Sequence, residues 1–296
     1  YEINNIYSPL IFEEKKKVVK NYFKSIIGGY NHILITKYLN LTKSLSNNIV
    51  IPYLNDWNNN ISIDNLIIIS NPIDSERIAK KHIKKAPIFK NVVFDSVIST
   101  TDNEQWKNQR YDLNTYFLPN LSLRHIFNLS KDRAKKYNYN IKNLSNNYNK
   151  SVNINDYFLN ETQSQLQLVL FGFDKDFEKK TNKKIRDAFS GINSDYTKEF
   201  STDALKETYK SNGPLSIYFQ NNNNSIKTNI GNILLFAFAG HDTTGHTLTW
   251  LLYELCKHPK YKQDLIQEID EYWLNHNEET YGSFKELPFM TKCITE

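Results

Sequence analysis

Apolar side chains are most concentrated between Ile226 and Lys257, where they predict one long helix. A run of about 30 residues would extend roughly 45 Å at 1.5 Å per residue. Its large apolar side chains are spread over most faces of that helix, at Ile233, Leu234, Leu235, Phe236, Phe238, Leu248, Trp250, Leu251 and Leu252. A helix that is apolar all round belongs in a protein core. We therefore expect this helix to lie inside the protein.

The first quarter of the chain predicts two helices with a small sheet between them. Residues Pro9 to Tyr38 have the amphipathic spacing of a helix. Asn48 to Leu54 and Asn65 to Ser70 are short β-rich runs, which predict paired strands. Pro72 stands where proline commonly opens a helix, and the helical pattern after it extends to Ile83.

A second well-marked helix begins near residue 101. Thr101 and Glu104 have the spacing of a capping box, which predicts a helix start. Trp106 and Arg110 follow one turn apart, so they share a face of this helix, which should end near Pro119. An indole N–H beside a guanidinium group is a pair of donors suited to a carboxylate.

The hexapeptide Ala239 to Thr244 interrupts the apolar pattern of the long helix. Gly240 destabilises a helix interior by about 1 kcal/mol relative to alanine, and Asp242 brings a charge into apolar surroundings. The Thr243 hydroxyl can bond back to the Ala239 carbonyl, which we expect to bend the helix open. An acid beside an alcohol can pass protons from solvent to a bound group. The segment is therefore a candidate functional site.

Composition argues against a nucleic-acid-binding protein. The net charge is +5 over 296 residues. The basic residues are almost all lysines and are scattered among acidic ones, as on solvated helix faces. We therefore predict no nucleic-acid partner.

The two cysteines and the lack of a long apolar run indicate where in the cell the protein is located. Cys256 and Cys293 cannot form a disulfide framework and fit a reducing, intracellular compartment. Cys256 stands in the apolar end of the long helix, where we expect a small buried hydrophobe. No apolar run reaches the ~20 residues that cross a bilayer, although membrane association could come from a segment preceding Tyr1.

The hexapeptide, with Leu248 to Trp250 and Lys257 to Pro259 after it, resembles the oxygen-binding central helix of cytochrome P450, a family of haem-thiolate monooxygenases. The segment that contains Trp106 and Arg110 resembles the Trp-x-x-x-Arg helix of that family, whose two residues hold a haem propionate. The resemblance extends from about residue 48 to residue 296.

This resemblance implies a mainly α cytochrome P450 fold with a small N-terminal β-sheet, as one domain over residues 1–296. It implies a short strand at Ser151 to Asp156, followed by an apolar helix that ends near Gly172. Two long helices of the family roof the substrate pocket, but only Lys198 to Lys210 has a helical pattern between residues 173 and 225, so we expect a shortened roof. Leu287 to Glu296 resembles the opening of the family's Glu-x-x-Arg helix. We therefore expect the C-terminal part of the fold, with the haem-ligating cysteine, to lie outside these residues.

The function implied by the resemblance is insertion of one oxygen atom of O2 into an apolar organic substrate. The cofactor would be haem, and electrons would come from NADPH through a reductase. Asp242 and Thr243 would relay protons, while Ala239 and Gly240 would make room for O2 at the haem. No metal ligand is expected among the residues of this chain.

The residues themselves suggest three alternatives, and two of them remain. Without its thiolate ligand the chain would be an inactive remnant with a structural or interaction role. An α-helical scaffold that happens to contain the hexapeptide would bind haem no differently after loss of Trp106 or Arg110. A zinc hydrolase is rejected, because His241 and His246 are five residues apart and a zinc pair on a helix needs a spacing of four.

Overall fold

The computed structural model describes residues 6–7, 21, 24, 31–42, 48–55, 62–81 and 89–295. The chain forms two compact units, Tyr1–Ile83 and Lys84–Glu296. Most of the predicted helix from Pro9 to Tyr38 lies outside the described residues.

The described part of the first unit contains a three-stranded sheet and two helices. Strand β1 (Ile6–Tyr7) is parallel to β2 (Asn48–Asn55), and β2 is antiparallel to β3 (Ser62–Ile69), with Asn48 opposite Ile69. Strand β2 extends one residue beyond its predicted run, whereas β3 begins three residues before its run and ends one residue earlier. The sequence did not predict β1. The elements in chain order are β1 (Ile6–Tyr7), α1 (Asn31–Thr42), β2 (Asn48–Asn55), β3 (Ser62–Ile69) and α2 (Pro72–Lys81).

The second unit is helical throughout its described part. The long helix predicted from Ile226 to Lys257 has those same bounds, because Ser225 caps its first turn and Pro259 starts the next helix. The helices in chain order are α3 (Lys90–Val93), α4 (Asn103–Phe117), α5 (Asn120–Ala134), α6 (Tyr137–Leu144), α7 (Ile154–Gln165), a π-helix (Leu166–Phe171), α8 (Lys175–Phe189), α9 (Tyr196–Thr208), α10 (Pro214–Asn221), α11 (Ile226–Lys257), α12 (Pro259–Asn275), a 3₁₀ turn (Ser283–Glu286) and α13 (Pro288–Thr295).

The core of this unit lies between the π-helix, α8 to α10 and the first half of α11. Its members are fully or nearly fully buried, and the largest are aromatic or aliphatic: Leu166, Phe171, Ile185, Phe200, Leu215, Tyr218, Phe219 and Ile233. Phe171 stacks on Phe173 at 4.7 Å between ring centroids. This core fixes the first half of α11 within the unit.

Glycines allow α11 to approach its neighbours closely. A Cβ at Gly245 would come within 2.8 Å of Leu159 in α7, and a Cβ at Gly231 would come within 2.2 Å of the Val93 carbonyl oxygen at the end of α3. Both glycines are buried. Helix α11 is therefore packed against α7 and α3 at distances that a side chain would not permit.

The expected burial of α11 is wrong for its second half. Ile233, Leu234 and Ala237 are buried, but Trp250 is 61% exposed and Cys256 is also exposed. Helix α7 contacts this half at Gly245 and His246, but Leu252 and Tyr253 are exposed like Trp250 within the described part of the chain. The prediction of a buried Cys256 is therefore wrong, since a pattern of apolar residues cannot show which faces neighbours cover.

Two local predictions are also wrong. The cap of α4 is Asp102 rather than Thr101, and its carboxylate accepts the backbone N–H groups of Glu104 and Gln105. Residues 151–153 have no strand conformation, and Asn153 instead caps α7 by accepting the N–H of Asp156. In both places a short polar side chain satisfies the free donors of a helix start, which fixes the helix boundary.

Residues 173–225 contain three helices where the sequence predicts one. Helix α9 matches the predicted segment from Lys198 to Lys210 to within two residues, whereas α8 and α10 were not predicted. Helix α8 begins at the cap Asp174 and buries Ile185 and Ala188 beneath a lysine-rich outer face. Because those lysines outnumber the apolar residues, polar composition concealed the amphipathic spacing.

None of the described helices is both long enough and apolar enough to span a bilayer.

Candidate functional site

The polar segment of α11 has the hydrogen bond that its sequence predicts. The Thr243 hydroxyl donates to the Ala239 carbonyl oxygen at 2.8 Å. The expected opening of the helix is not observed, because α11 is α-helical without interruption from Ile226 to Lys257. A carbonyl oxygen has two lone pairs, so it can accept the hydroxyl and its own helical N–H together.

Asp242 and Thr243 lie next to each other on the accessible side of α11. Thr243 is exposed, and the side chain of Asp242 is 39% exposed. The hydroxyl of Thr243 donates its proton to Ala239, so its lone pairs remain able to accept one. The acid and the alcohol that the sequence predicts as a relay are therefore both within reach of solvent.

Gly240 and Ala239 occupy different environments from one another. The space where a Gly240 side chain would lie is taken by Leu166 of the π-helix, whose Cδ1 is 3.0 Å from an ideal Cβ position. Ala239 is half-buried and shares a face of α11 with Thr243, one turn later. The missing side chain of Gly240 thus serves the contact with Leu166, while Ala239 adjoins the Thr243 hydroxyl.

Trp106 and Arg110 lie one turn apart on an exposed face of α4. Trp106 is 38% exposed, and Arg110 is exposed as well. A guanidinium group and an indole N–H on one accessible face are chemically suited to a carboxylate of a ligand. The donor set therefore fits the haem propionate that the sequence resemblance implies.

A buried amide pair, which sequence reasoning missed, joins these two regions. Asn232 of α11 donates from Nδ2 to Oε1 of Gln109 in α4 at 2.7 Å, and both residues are fully buried. Gln109 stands next to Arg110 in the helix. Asn232 and Ala239 are seven residues apart, about 10 Å along α11 and on nearly the same face. The pair therefore fixes α4, the helix that bears Trp106 and Arg110, relative to the polar segment of α11.

His241 is a packing residue of α11. Its ring stacks on Phe189 of α8 at 5.6 Å, and its Nδ1 lies 2.8 Å from the Ala237 carbonyl oxygen. Burial lowers the pKa of His241 below its ordinary value of 6.5, although hydrogen bonding to the Ala237 carbonyl opposes the shift. A neutral imidazole is therefore favoured at this position.

His246 forms a second cluster that the sequence did not reveal. Its Nδ1 lies 2.9 Å from Oδ1 of Asn155 in α7, and its Nε2 lies 3.5 Å from Oδ1 of Asp242. The Thr249 hydroxyl also approaches Asn155 Oδ1, at 3.2 Å. The only signal in the sequence was the spacing of four between Asp242 and His246, since Asn155 is 91 residues away from the histidine.

Cys256 is not placed to act at this site. Cys256 lies 14 residues beyond Asp242 on the same helix, a displacement of roughly 21 Å, and Cys293 lies in α13. Within the described residues no group of three or more histidine, cysteine, aspartate or glutamate side chains could hold a metal ion.

Comparison with known proteins identifies the C-terminal quarter of the chain. The family model described as "Cytochrome P450" matches residues 220–296. Cytochrome P450 4F3 of Rattus norvegicus is 43% identical over 63 residues, which are 21% of this chain and 12% of that protein. Leukotriene-B4 omega-hydroxylase 3 of Mus musculus is 41% identical over 63 residues, again 12% of its length. The chain therefore matches about an eighth of the length of these curated relatives.

Likeness among solved structures extends further along the chain. The crystal structure of a cytochrome P450, CYP102L1, superposes with a TM-score of 0.57 and covers 88% of this chain and 64% of its own. The two sequences are 14% identical over the superposed region, so this likeness shows the fold alone. The fold is the mainly α one that the sequence predicts.

Proposed function

Because the chain belongs to the cytochrome P450 superfamily, we propose that the complete protein is a haem-thiolate monooxygenase. It inserts one oxygen atom of O2 into an apolar organic substrate. The observation that carries this proposal is the direct bond between Gln109 and Asn232, which joins a carboxylate-binding helix face to the helix that bears an acid and an alcohol.

Trp106 and Arg110 would hold a propionate of the haem through the indole N–H and the guanidinium group. Ala239 presents little side-chain bulk on α11, so it would leave space for the cofactor and O2, whereas the space beside Gly240 is filled by Leu166. The haem, when bound, supplies the oxidising chemistry. The haem-ligating thiolate is not provided by the cysteine of α11, because that residue lies too far along the helix.

Asp242 and Thr243 would move protons. A carboxylic acid can donate to the Thr243 hydroxyl, whose lone pairs are free, and the hydroxyl can pass on its own proton when its bond to the Ala239 carbonyl breaks. That intrahelical bond is worth about 1 kcal/mol, so it holds the hydroxyl in place without trapping it. Thr243 would deliver its proton to the bound group, and Asp242 would replace that proton and take up another from solvent.

Electrons would come from NADPH through a reductase partner. The family-level matches support haem, O2 and such a partner. One relative is named for hydroxylating leukotriene B4, but its alignment covers only 63 residues. We therefore propose an apolar small-molecule substrate without assigning leukotriene B4 to this protein. We also propose an intracellular location and association with a membrane.

The test is the coupling ratio of Thr243→Ala, measured as product formed per NADPH consumed in the complete haem-loaded protein. We expect NADPH consumption to continue while the product yield falls roughly 10-fold or more, since proton delivery contributes on the order of 10²–10⁴ in rate. Thr202→Ala is the matched control, because Thr202 makes the same kind of bond to a carbonyl four residues earlier, in α9. Equal coupling in both variants would exclude the relay role of Thr243.

A further inference from the structure

The imidazole of His246 lies between an amide of another helix and the acid of the proposed relay. Asn155 Oδ1 is 2.9 Å from Nδ1, and Asp242 Oδ1 is 3.5 Å from Nε2. A carboxamide oxygen is only an acceptor, so Nδ1 must carry a hydrogen to bond it. Asn155 thereby fixes the tautomer of the ring, as a carboxylate does for the histidine of a serine-protease triad.

Fixing the tautomer leaves one proton to be shared between Nε2 and Asp242. With the proton on Nε2, an imidazolium faces a carboxylate. With the proton on Asp242, a neutral imidazole that has its lone pair on Nε2 faces a carboxylic acid. Both arrangements are attractive, and they differ only in the position of one proton. His246 and Asp242 can therefore act as proton donor and proton acceptor to each other.

The histidine is also open to solvent. Its side chain is 46% exposed, while Asn155 holds Nδ1 at 2.9 Å and Nε2 faces Asp242 Oδ1 at 3.5 Å. Water can therefore reprotonate Nε2 after each transfer. Asp242 connects this entry point to Thr243, its neighbour along α11.

We propose that His246 is a positioning residue that supplies protons to Asp242, with Asn155 holding its ring in the productive tautomer. This inference rests on the proposed monooxygenase function. In the transfer, the Nε2–H bond of the imidazolium breaks and an O–H bond forms on the Asp242 carboxylate. Both charges are neutralised, Nδ1 keeps its hydrogen, and solvent returns a proton to Nε2.

The first test compares His246→Gln with a matched control at the end of the same helix. Glutamine is polar and of similar length, but its amide does not take up or release a proton near neutral pH. His258, the cap residue after α11, contacts Glu254 at 3.4 Å with the same spacing of four residues, is likewise exposed, and lies beside Tyr261 of α12. His258→Gln therefore removes an equivalent ion pair that lies outside the relay.

In the complete haem-loaded protein, His246→Gln should bind haem and substrate as the unaltered protein does. Its product yield per NADPH should fall roughly threefold or more, with a larger solvent deuterium isotope effect on that yield. The loss is smaller than the 10²–10⁴-fold contribution of direct proton transfer, because water can still reach Asp242. His258→Gln should leave both quantities unchanged. Equal coupling and isotope effects in the two variants would overturn the proposal.

A spectroscopic test does not depend on turnover. In protein labelled with ¹⁵N-histidine and kept in the diamagnetic reduced, carbon-monoxide-bound form, the ¹⁵N shifts of neutral His246 should show hydrogen on Nδ1. Asn155→Leu should remove that preference and yield the Nε2–H tautomer. Hydrogen on Nε2 in the unaltered protein would overturn the assignment of the tautomer and the proposal with it.

The same experiments separate this inference from the function on which it rests. Loss of coupling in Thr243→Ala together with normal coupling in His246→Gln would refute only the role of His246. Normal coupling in Thr243→Ala would refute the relay itself, and the proposed role of His246 as its proton source would then also be wrong.

Discussion

The Nδ2 group of Asn232 donates to Oε1 of Gln109 at 2.7 Å, across 123 residues of sequence, and neither side chain has any exposed surface. Each partner has a second bond. Asn232 Oδ1 accepts the N–H of Val97 at 2.9 Å, and Gln109 Nε2 donates to the Asp95 carbonyl at 3.0 Å. These bonds tie α4, the loop before it and α11 together.

Replacing Asn232 by leucine should destabilise the protein by roughly 2–4 kcal/mol, because leucine keeps the branched shape but removes the donor to the buried Gln109 side-chain carbonyl and the acceptor of the Val97 N–H. Urea unfolding monitored by circular dichroism measures the effect. Asn275→Leu is the control, since Asn275 is exposed and bonds only to a carbonyl of its own helix. A comparable loss in the control would contradict a special role for the buried amide pair.

Alanine substitutions at two glycines of α11 should change the free energy of unfolding by different amounts or in opposite directions. A Cβ at Gly231 would lie 2.2 Å from the Val93 carbonyl oxygen, which is backbone and cannot rotate away. We expect Gly231→Ala to lower the free energy of unfolding by about 3 kcal/mol, at the upper end of overpacking effects. Gly240→Ala should change it by less than about 1 kcal/mol, because Leu166 can adjust and alanine favours the helix.

Thermal and urea denaturation of the two glycine variants provide the measurement. Gly282→Ala is a control in open surroundings, where the nearest atom to a new Cβ is Thr280 Oγ1 at 4.0 Å. A larger loss for Gly240→Ala than for Gly231→Ala would show that the packing of α11 differs from that described above.

Arg110→Ala should weaken haem binding roughly 10- to 100-fold, since a hydrogen bond to a charged group contributes about 1.5–3 kcal/mol. Arg110 is exposed, so the unfolding free energy of the haem-free protein should be unaffected. Haem titration followed by absorbance measures the affinity. Lys107→Ala is the control, because this exposed cation on the same helix is paired with Glu104. Unchanged affinity after loss of Arg110 would favour the scaffold alternative.

His241 should make the protein less stable at mildly acidic pH. Its burial lowers its pKa in the folded state, so the unfolded chain binds more protons once the pH falls below about 6.5, the ordinary value. The stability that a neutral His241 provides is therefore complete above that value and is lost as the pH falls below it.

The variant His241→Phe should lose less stability than the unaltered protein between pH 7.5 and pH 5.5. Phenylalanine can keep the aromatic contact with Phe189 but takes up no proton. Urea midpoints at the two pH values measure the difference. Identical pH dependence in both proteins would show that other groups control acid stability.

Local features were predictable because they depend on neighbouring residues. The bounds of α11 follow from its apolar run, the cap Ser225 and the proline at 259. The bond from Thr243 to Ala239 follows from the geometry of one helical turn. The sequence misled where polar composition masked a helical periodicity, as in α8, and where a cap residue set a different boundary, as at Asp102 and Asn153.

The sequence by itself therefore determined the long helix α11, strands β2 and β3, and the polar segment at Asp242 and Thr243. Only the tertiary structure decided that Asn232 meets Gln109, that His246 meets Asn155, and that Cys256 is exposed. The physical reason is that capping and intrahelical bonds depend on residues within one or two turns. Pairing between helices depends on which faces come together, and the chain's apolar pattern leaves that choice open.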